Sequence, residues 1–198
     1  MTFIMASNNE GKLREMREML SSLGCEVLSQ REAGLNLDVE ETGTTFEENA
    51  FLKAEAACKA SGLPAIADDS GLCVEALGGA PGIYSSRYAG EGKTDKDRND
   101  FLLENMKNET DRRAKFASAV VGVFPNGDRL SAYGECHGEL LYEERGENGF
   151  GYDPLFYMAE YGMTTAEMAP ELKNRISHRA KAIAEFGEKL KEYLRQGE

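Results

Sequence analysis

The chain has 198 residues and a formal net charge of -12 at pH 7, with 41% hydrophobic and 29% charged residues. This length and composition are typical of one sizeable globular domain. A strongly acidic chain lacks the basic surface that a nucleic-acid polymer or an anionic membrane requires, so we exclude both as partners. A small anion remains a possible ligand where local lysines, arginines or a divalent cation overcome the global field.

The cysteines indicate the redox environment. Cys25, Cys58, Cys73 and Cys136 are widely spaced and form no Cys-x-x-Cys pair, so we do not expect a zinc site. The apolar run in "MTFIMASNNEGK" is too short for a signal peptide or an anchor, and no other run could span a bilayer. We therefore expect a cytoplasmic protein with reduced thiols.

The first part of the chain alternates between strand and helix signals. Apolar residues recur at helical spacing between two short apolar runs, which predicts a strand, helix, strand unit. A capping box formed by Thr45 and Glu48 opens a second, alanine-rich helix that ends at Gly62. We predict strands at 2–6, 25–29 and 64–67, and helices at 11–24 and 44–62.

The second part of the chain contains a hairpin and two further helices. The Asn-Gly pair of "PNGD", residues 125–128, is a strong signal for a tight turn between two strands. A hairpin added to strand–helix–strand units predicts an α/β fold with a mixed sheet. We predict strands at 114–124 and 129–140 and helices at 94–108 and 177–196, the last with an apolar stripe of Ile183, Phe186, Leu190 and Leu194.

The segment "SNNEGK", from Ser7 to Lys12, lies between the first predicted strand and the first predicted helix. Free backbone N–H groups and the helix dipole favour an anion at such a position, and the Lys12 ammonium could contact a phosphate. The glycine spacing matches neither a Walker loop nor a dinucleotide fingerprint. A plain asparagine cap with a solvated lysine is the alternative that this segment by itself leaves open.

Two pairs of adjacent carboxylates raise the question of a metal ion. Glu40 and Glu41 precede the second helix, while Asp68 and Asp69 end the apolar run of the third strand, where repulsion between their charges is costly. Carboxylates of this kind hold Mg²⁺ together with water and substrate phosphates. Acidic residues before a helix also serve simply to complement its dipole. The pattern "DDSG" lacks the intervening residue of haloacid dehalogenase phosphatases.

Two later segments carry residues suited to a planar, electron-rich ligand. "GENGFGYDPLFY", residues 146–157, flanks Phe150 with glycines, so the ring could stack on a base or belong to the core. "ELKNRISHR", residues 171–179, gathers four basic side chains in an otherwise acidic chain. Basic groups in the first turn of a helix oppose its dipole, which favours an anionic or electron-rich ligand over a solvated face.

Five motifs occur in order between about residues 3 and 186: "SNNEGK", "EETGTTFEENAFLKA", "PAIADDSGLCVEALGGAPGIYSSRYAG", "GFGYDPLF" and "ISHRAKA". Together they resemble the inosine triphosphate pyrophosphatase family, whose members hydrolyse non-standard purine nucleoside triphosphates. One departure is Ser7 with Asn8, where many members have Thr and Gly; the hydroxyl group is kept.

The resemblance implies a single nucleoside-triphosphate pyrophosphatase domain over residues 1–198, with an elongated α/β fold of two lobes, a long mixed sheet and a nucleotide cleft between the lobes. It also implies a homodimer, a purine nucleoside triphosphate substrate and a Mg²⁺ cofactor. Water would attack the α-phosphate of ITP, dITP or XTP and give the monophosphate and pyrophosphate, which clears deaminated purines from the nucleotide pool.

The resemblance also assigns the site residues. Asp69 is the general base, and Glu40 and Asp69 hold Mg²⁺, so that Asp68 and Asp69 tolerate each other because a cation sits between them. The substrate-binding residues are Ser7, Asn8, Asn9, Glu10, Gly11, Lys12 and Ser70 for the triphosphate, and Phe150, Gly151, Tyr152, Asp153, Lys173, His178 and Arg179 for the nucleoside.

Two alternative functions stay open. A related nucleotide pyrophosphatase family that prefers methylated or pyrimidine nucleotides shares the general architecture, but not the pairing of "SHR" with "GFGYDP". A non-catalytic nucleotide sensor would keep the lysines and would not need paired carboxylates.

Overall fold

The computed structural model describes residues 1–196. Its strands are β1 (Thr2–Met5), β2 (Glu26–Ser29), β3 (Ala65–Val74), β4 (Arg113–Val123), β5 (Arg129–Leu140), β6 (Phe156–Met158) and β7 (Met163–Thr164). Its α-helices are α1 (Glu10–Ser21), α2 (Phe46–Ser61), α3 (Asp95–Asn105), α4 (Pro170–Ile176) and α5 (His178–Gln196), with short 3₁₀ helices at Glu75–Leu77 and Gly82–Arg87.

The strands form one sheet in the order β2-β1-β3-β4-β5-β6-β7. β1 runs parallel to both β2 and β3, whereas β6 runs antiparallel to both β5 and β7. The predicted α/β fold with a mixed sheet is therefore confirmed. No helix within residues 1–196 combines the length and the apolar composition that crossing a bilayer requires, and the four cysteines are free thiols.

The chain divides into two compact units. The described part of unit 1 comprises residues 1–69, 118–134 and 178–196, and unit 2 comprises residues 70–117 and 135–177. Unit 1 contains β1, β2, α1, α2 and α5 complete, and unit 2 contains α3, α4, β6 and β7 complete.

Unit 1 has two apolar layers, one on each face of its part of the sheet. Side chains along a strand alternate between the faces, so Phe3 and Met5 pack with the apolar stripes of α1 and α5, while Ile4 packs with α2. The α2 layer is made of small side chains that allow close approach to the sheet: Ala50, Ala54, Ala57 and Cys58. This arrangement places α1 and α5 on one side of β3 and α2 on the other.

Unit 2 has its own apolar core. Leu102 of α3 and Met106, which follows the helix, pack with Phe116 of β4 and Phe156 of β6, and the two phenylalanine rings have centroids 4.6 Å apart. Tyr152 belongs to the same cluster. The loop "GFGYDP" is thus tied to the core by Tyr152, whereas the Phe150 side chain remains 43% exposed.

The predicted caps of α2 and α3 agree with the structure, whereas α1 ends at Ser21, before the predicted stop at Gly24. Asn9 caps α1, Thr45 caps α2 through the Glu48 N–H, and Gly62 ends α2 at φ +68°. Thr94 and Asp97 form a complete capping box at the start of α3. The hairpin turn forms at Phe124–Asp128, with Gly127 at φ +92°.

Three predictions about elements are wrong. The third strand does not end at Asp68 but continues to Val74, because cations neutralise both carboxylates and the backbone can remain extended. Lys173 and Arg175 lie in the last turn of a separate helix, α4, where they complement the dipole instead of opposing it. Leu194 is 37% exposed and does not continue the buried stripe of α5.

Gly134 allows α5 to pack directly on β5. A Cβ atom at this position would lie 2.2 Å from the carbonyl oxygen of His178 and 2.5 Å from the backbone nitrogen of Ala182. Because both of these are backbone atoms, only a displacement of the first turn of α5 could relieve the overlap. Gly134 therefore fixes how closely the turn that carries Arg179 approaches the sheet.

We predict that Gly134→Ala lowers the free energy of unfolding by about 1–3 kcal/mol, the usual cost of inserting atoms into a packed interior. Urea denaturation measures this change. Glu139→Ala, an exposed position on the same strand, serves as the control and should stay within about 0.5 kcal/mol of the wild type. Equal stability of the Gly134→Ala variant and the wild type would contradict the tight contact between β5 and α5.

Candidate active site

The adjacent carboxylates of β3 face opposite sides of the sheet in unit 1. Ile66 belongs to the layer made with α1 and α5, while Ala65 and Ala67 belong to the layer made with α2. By the same alternation, Asp68 faces α1 and α5 and Asp69 faces α2. The contacts of the two carboxylates follow this division.

Asp68 lies at the centre of a buried ion cluster. The Nζ atom of Lys12 is 3.0 Å from its Oδ2 atom, and the Nε–H of Arg179 donates to the same oxygen at 3.1 Å. Arg179 also donates from Nη1 to Oε2 of Glu15 at 2.5 Å. Lys12 and Glu15 are three residues apart on α1 and so share one face of the helix. Two cations and two carboxylates thus join α1, β3 and α5.

The pKa values in this cluster favour the charged forms of Asp68 and Arg179. Burial by itself would raise the pKa of Asp68, but Lys12 and Arg179 outweigh burial and hold it well below its usual range. Burial would likewise lower the pKa of Arg179, yet Asp68 and Glu15 raise it. The pKa of Lys12 falls despite its partner, because burial and the neighbouring cations Arg179 and Lys53 act against its charge.

Asp69 has different surroundings on the α2 side. Its Oδ1 atom is 3.5 Å from Nζ of Lys53, and its Oδ2 atom accepts a hydrogen bond from Nδ2 of Asn49 at 3.2 Å. Lys53 also bonds to Oε1 of Glu41 at 2.7 Å. Burial raises the pKa of Asp69; Lys53 opposes the rise and Glu41 adds to it. A carboxylate with a raised pKa is a better proton acceptor at neutral pH than an ordinary aspartate.

Side chains of the protein neutralise both aspartates, and a cation between the two carboxylates stays a prediction. Asp68 is neutralised by Lys12 and Arg179, and Asp69 by Lys53, on opposite faces of the strand. The strand geometry separates the carboxylates, so no shared ion is needed to relieve their repulsion.

The segment from Ser7 to Lys12 connects β1 to α1 as predicted. The Asn9 side chain accepts the Lys12 N–H, and the Ser7 hydroxyl accepts the Asn9 N–H. Gln30, which is buried, donates to Oδ1 of Asn8 at 2.6 Å, so the amide oxygen of Asn8 is held by the protein. Glu10 and Gly11 form the first turn of α1. Lys12 is not the solvated lysine of the alternative interpretation, since it pairs with Asp68.

The predicted metal ligands are oxygen donors in adjoining segments. Glu40 is exposed in the segment before α2. The next residue, Glu41, forms an ion pair with Lys53, and Lys53 also contacts Asp69. Within residues 1–196, no group of three or more histidine, cysteine, aspartate or glutamate side chains is arranged to hold a metal ion. A donor set of one or two carboxylates fits Mg²⁺, which takes its other ligands from water and phosphate, and it does not fit zinc.

The loop with Phe150 is held by a polar network within unit 2. Asp153 accepts the Phe150 N–H at 2.9 Å and the ammonium of Lys173 at 2.5 Å on Oδ2, while the Thr165 hydroxyl donates to its Oδ1 atom. The Nζ atom of Lys173 lies 4.9 Å from the centroid of the Phe150 ring. The structure thus brings three of the predicted nucleoside residues into one cluster and leaves the Phe150 ring partly exposed.

Three further predicted residues, Tyr152, Ser70 and His178, belong to the loop before β6, to β3 and to α5, respectively. Tyr152 is buried and donates its hydroxyl to the Ser85 carbonyl oxygen. Ser70 follows Asp69 in β3 and is partly exposed, and His178 is a buried residue at the start of α5.

Four residues of the site were not predicted from the sequence: Glu15, Gln30, Asn49 and Lys53. For Asn49 and Lys53, the sequence did contain a signal. Asn49 and Lys53 are four residues apart on the otherwise alanine-rich face of α2, where two polar side chains need a partner. Glu15 and Gln30 had no comparable signal, because their partners come from distant parts of the chain.

The chain is similar to known proteins in both sequence and structure. Residues 3–189 match the model of the Ham1 family. The chain is 49% identical over 183 residues to a dITP/XTP pyrophosphatase of Desulfotalea psychrophila, with 92% of this chain and 82% of that protein covered. It is also 49% identical over 191 residues to a dITP/XTP pyrophosphatase of Haemophilus influenzae, with 94% and 97% covered. The structure of the Staphylococcus aureus Ham1 protein has a TM-score of 0.90 at 44% identity and covers 98% of this chain and 100% of its own. The family resemblance of the five motifs is thereby confirmed.

The two aspartates provide a matched pair for a test of stability. We predict that Asp68→Asn lowers the free energy of unfolding by about 3–5 kcal/mol, because it leaves buried cations without their carboxylate. Asp69→Asn should leave stability unchanged or raise it, because the raised pKa of Asp69 means that folding disfavours its ionised form. Urea denaturation at pH 7 in metal-free buffer compares the two variants.

The pKa shift of Asp68 also determines how the stability difference between Asp68→Asn and the wild type depends on pH. Because the folded pKa of Asp68 is lowered, its contribution is present above the unfolded value of about 4 and is lost as pH falls toward the folded value. The deficit of Asp68→Asn should therefore be constant between pH 8 and 5 and should narrow only below about pH 4. An Asp68→Asn variant as stable as Asp69→Asn at pH 7 would contradict the assignment of the two environments.

Proposed function

Because the chain belongs to the Ham1 family, we propose that it hydrolyses non-standard purine nucleoside triphosphates, namely ITP, dITP and XTP, to the monophosphate and pyrophosphate. The observation that carries this proposal is the similarity, over nearly the full length of both chains, to proteins described as dITP/XTP pyrophosphatases. The buried, cation-paired carboxylates of unit 1 support hydrolysis over mere binding, because a nucleotide sensor has no need of a second carboxylate with a raised pKa.

The triphosphate needs local positive charge in a chain with net charge -12. We assign this role to Lys12 and Lys53 together with the backbone of the segment that begins at Ser7 and leads into the positive end of the α1 dipole. Without substrate, the two ammonium groups are neutralised by Asp68 and by Asp69 with Glu41. The phosphate oxygens then compete with these carboxylates for the same lysines, and Ser70 contributes its hydroxyl.

In the chemical step, the oxygen of a water molecule attacks the α-phosphorus. The bond from the α-phosphorus to the oxygen that bridges to the β-phosphorus breaks, and pyrophosphate leaves with that bond's electron pair. We assign to Asp69 the transfer of the proton from the attacking water. Asn49 and Lys53 hold the Asp69 carboxylate in place for this transfer.

Glu40 and Asp69 would hold Mg²⁺, and Lys53, which contacts Asp69, also pairs with Glu41. The chemistry that Mg²⁺ supplies when bound is neutralisation of the triphosphate charge and polarisation of the attacked phosphoryl group. A net charge of -12 makes this contribution important, since an uncompensated triphosphate would be repelled.

We assign the nucleoside to Phe150, Gly151, Tyr152, Asp153, Lys173 and His178, with the exposed Phe150 ring as the stacking surface. Lys173 carries donors suited to the 6-oxo group of hypoxanthine and xanthine, which adenine replaces by an amino group. The resemblance adds Arg179, whose donors bond to Glu15 and Asp68. We therefore propose that Arg179 serves recognition by holding Asp68 and the start of α5.

Assembly and location rest on the resemblance. We propose a homodimer, in which the interface is isologous as in most soluble dimers, and a cytoplasmic location, which the four free thiols favour. Sedimentation velocity at micromolar concentration tests the dimer, and a single species of about 22 kDa would overturn it.

A nucleotide panel tests the proposed activity. We predict that the wild type releases pyrophosphate from ITP, dITP and XTP in preference to ATP and GTP, that EDTA abolishes this activity, and that Asp69→Asn lowers kcat by ~10³-fold or more. Glu40→Gln should be milder and partly rescued by excess Mg²⁺.

Asp100→Asn, an exposed acidic position on α3, is the control and should retain wild-type rates. Preference for a methylated or pyrimidine nucleotide would favour the related pyrophosphatase family, and nucleotide binding without turnover would favour a sensor. Full activity in EDTA, or a near-normal kcat for Asp69→Asn, would contradict the mechanism.

A further inference from the structure

Helix α3 bonds to both polar backbone atoms of Gly151, the residue next to Phe150. The Gly151 N–H donates to Oδ2 of Asp95 at 2.7 Å, and the Gly151 carbonyl oxygen accepts from Nδ2 of Asn99 at 3.2 Å. Asp95 and Asn99 are four residues apart and so lie on one face of the helix. A single helix face therefore fixes the Gly151 backbone from both sides.

The two side chains of α3 are themselves held in place. Asn99 is 1% exposed, and its Nδ2 atom also donates to Oε1 of Glu144 at 2.7 Å. The other oxygen of Asp95 pairs with Arg98. The helix begins at a complete capping box, so its first turn is well defined. Asp95 and Asn99 thus present their bonding atoms to Gly151 in a set geometry.

Polar bonds, and not apolar packing, hold Gly151 against α3. A pocket of about 290 Å³ is lined by residues that include Asp95, Asn99, Glu144 and residues 146–151. Gly151 has φ +63°, in the region that glycine adopts freely. A glycine beside open space has many alternative conformations, so the two bonds from α3 decide which one it occupies.

We propose that Asp95 and Asn99 are positioning residues for nucleoside recognition: they fix the Gly151 peptide and thereby keep the Phe150 ring where a base can stack on it. This inference rests on the proposed function. Phe150 is linked to the same segment by its own N–H, which donates to Asp153. A stacking ring that is held in place before the ligand arrives binds more tightly, because less conformational freedom is lost on binding.

The test compares Asp95→Ala with Asp100→Ala. Asp95 has a side chain that is 44% exposed, so its removal leaves the fold intact where Asn99→Ala could disrupt it. Asp100 is an acidic residue of the same helix that pairs with Lys96, so Asp100→Ala is the matched control. Two ligands separate the parts of the substrate: ITP has a base, and inorganic tripolyphosphate, used as a competitive inhibitor, has none.

We expect Asp95→Ala to raise KM for ITP by about 5- to 10-fold with kcat within about twofold, the scale of one typical lost hydrogen bond. The inhibition constant of tripolyphosphate should not change. Amide hydrogen exchange at Gly151, followed by NMR in the ligand-free protein, should accelerate by about tenfold or more, while Asp100→Ala leaves all three quantities unchanged.

An unchanged KM for ITP in Asp95→Ala would overturn the inference and leave the proposed function intact. A parallel rise in the inhibition constant of tripolyphosphate would do the same, because it would show a general disturbance of the site. Unchanged exchange at Gly151 would also overturn it. A wild-type protein that releases no pyrophosphate from any nucleotide would overturn the proposed function, and the inference with it; this outcome is visible before any variant is compared.

Discussion

Successive side chains of β3 point to opposite faces of the sheet, and this alternation gives Asp68 and Asp69 different surroundings although they are adjacent in the chain. Asp68 meets Lys12 of α1 and Arg179 of α5, and Asp69 meets Lys53 of α2. One carboxylate is thereby kept ionised, and the other is brought closer to the pKa of a working base.

The division separates structural from chemical tasks. The Asp68 cluster joins three elements of unit 1 that are far apart in sequence, and Lys12 and Arg179 both pair with the Oδ2 atom of Asp68. Asp69 contributes less to folding, because burial disfavours its charge, and it is therefore the residue whose charge state is available to a reaction. Lys12 and Lys53 each neutralise an aspartate, and under the proposed function both also contact the triphosphate.

The sequence was sufficient for much of the fold. Periodicity and caps located α1, α2, α3 and α5, and the Asn-Gly turn located the hairpin. The error at β3 had a specific cause: two adjacent charges suggest the end of a strand unless their partners are known, and those partners come from α1, α2 and α5. Once β3 was taken to stop at Asp68, alternation could not be applied to the pair, and a shared metal ion became the natural explanation. Contacts such as Glu15 with Arg179 depend on packing between helices and have no local signal.

The most direct test is a titration of the two aspartate carboxyl carbons by ¹³C NMR in the metal-free protein. Opposite environments require Asp69 to titrate with a midpoint above the ordinary value of about 4 and Asp68 to titrate with a midpoint below it. The ion cluster on Asp68 and the assignment of Asp69 as the base would both be contradicted if the two carboxyl groups titrated together, or if Asp68 had the higher midpoint.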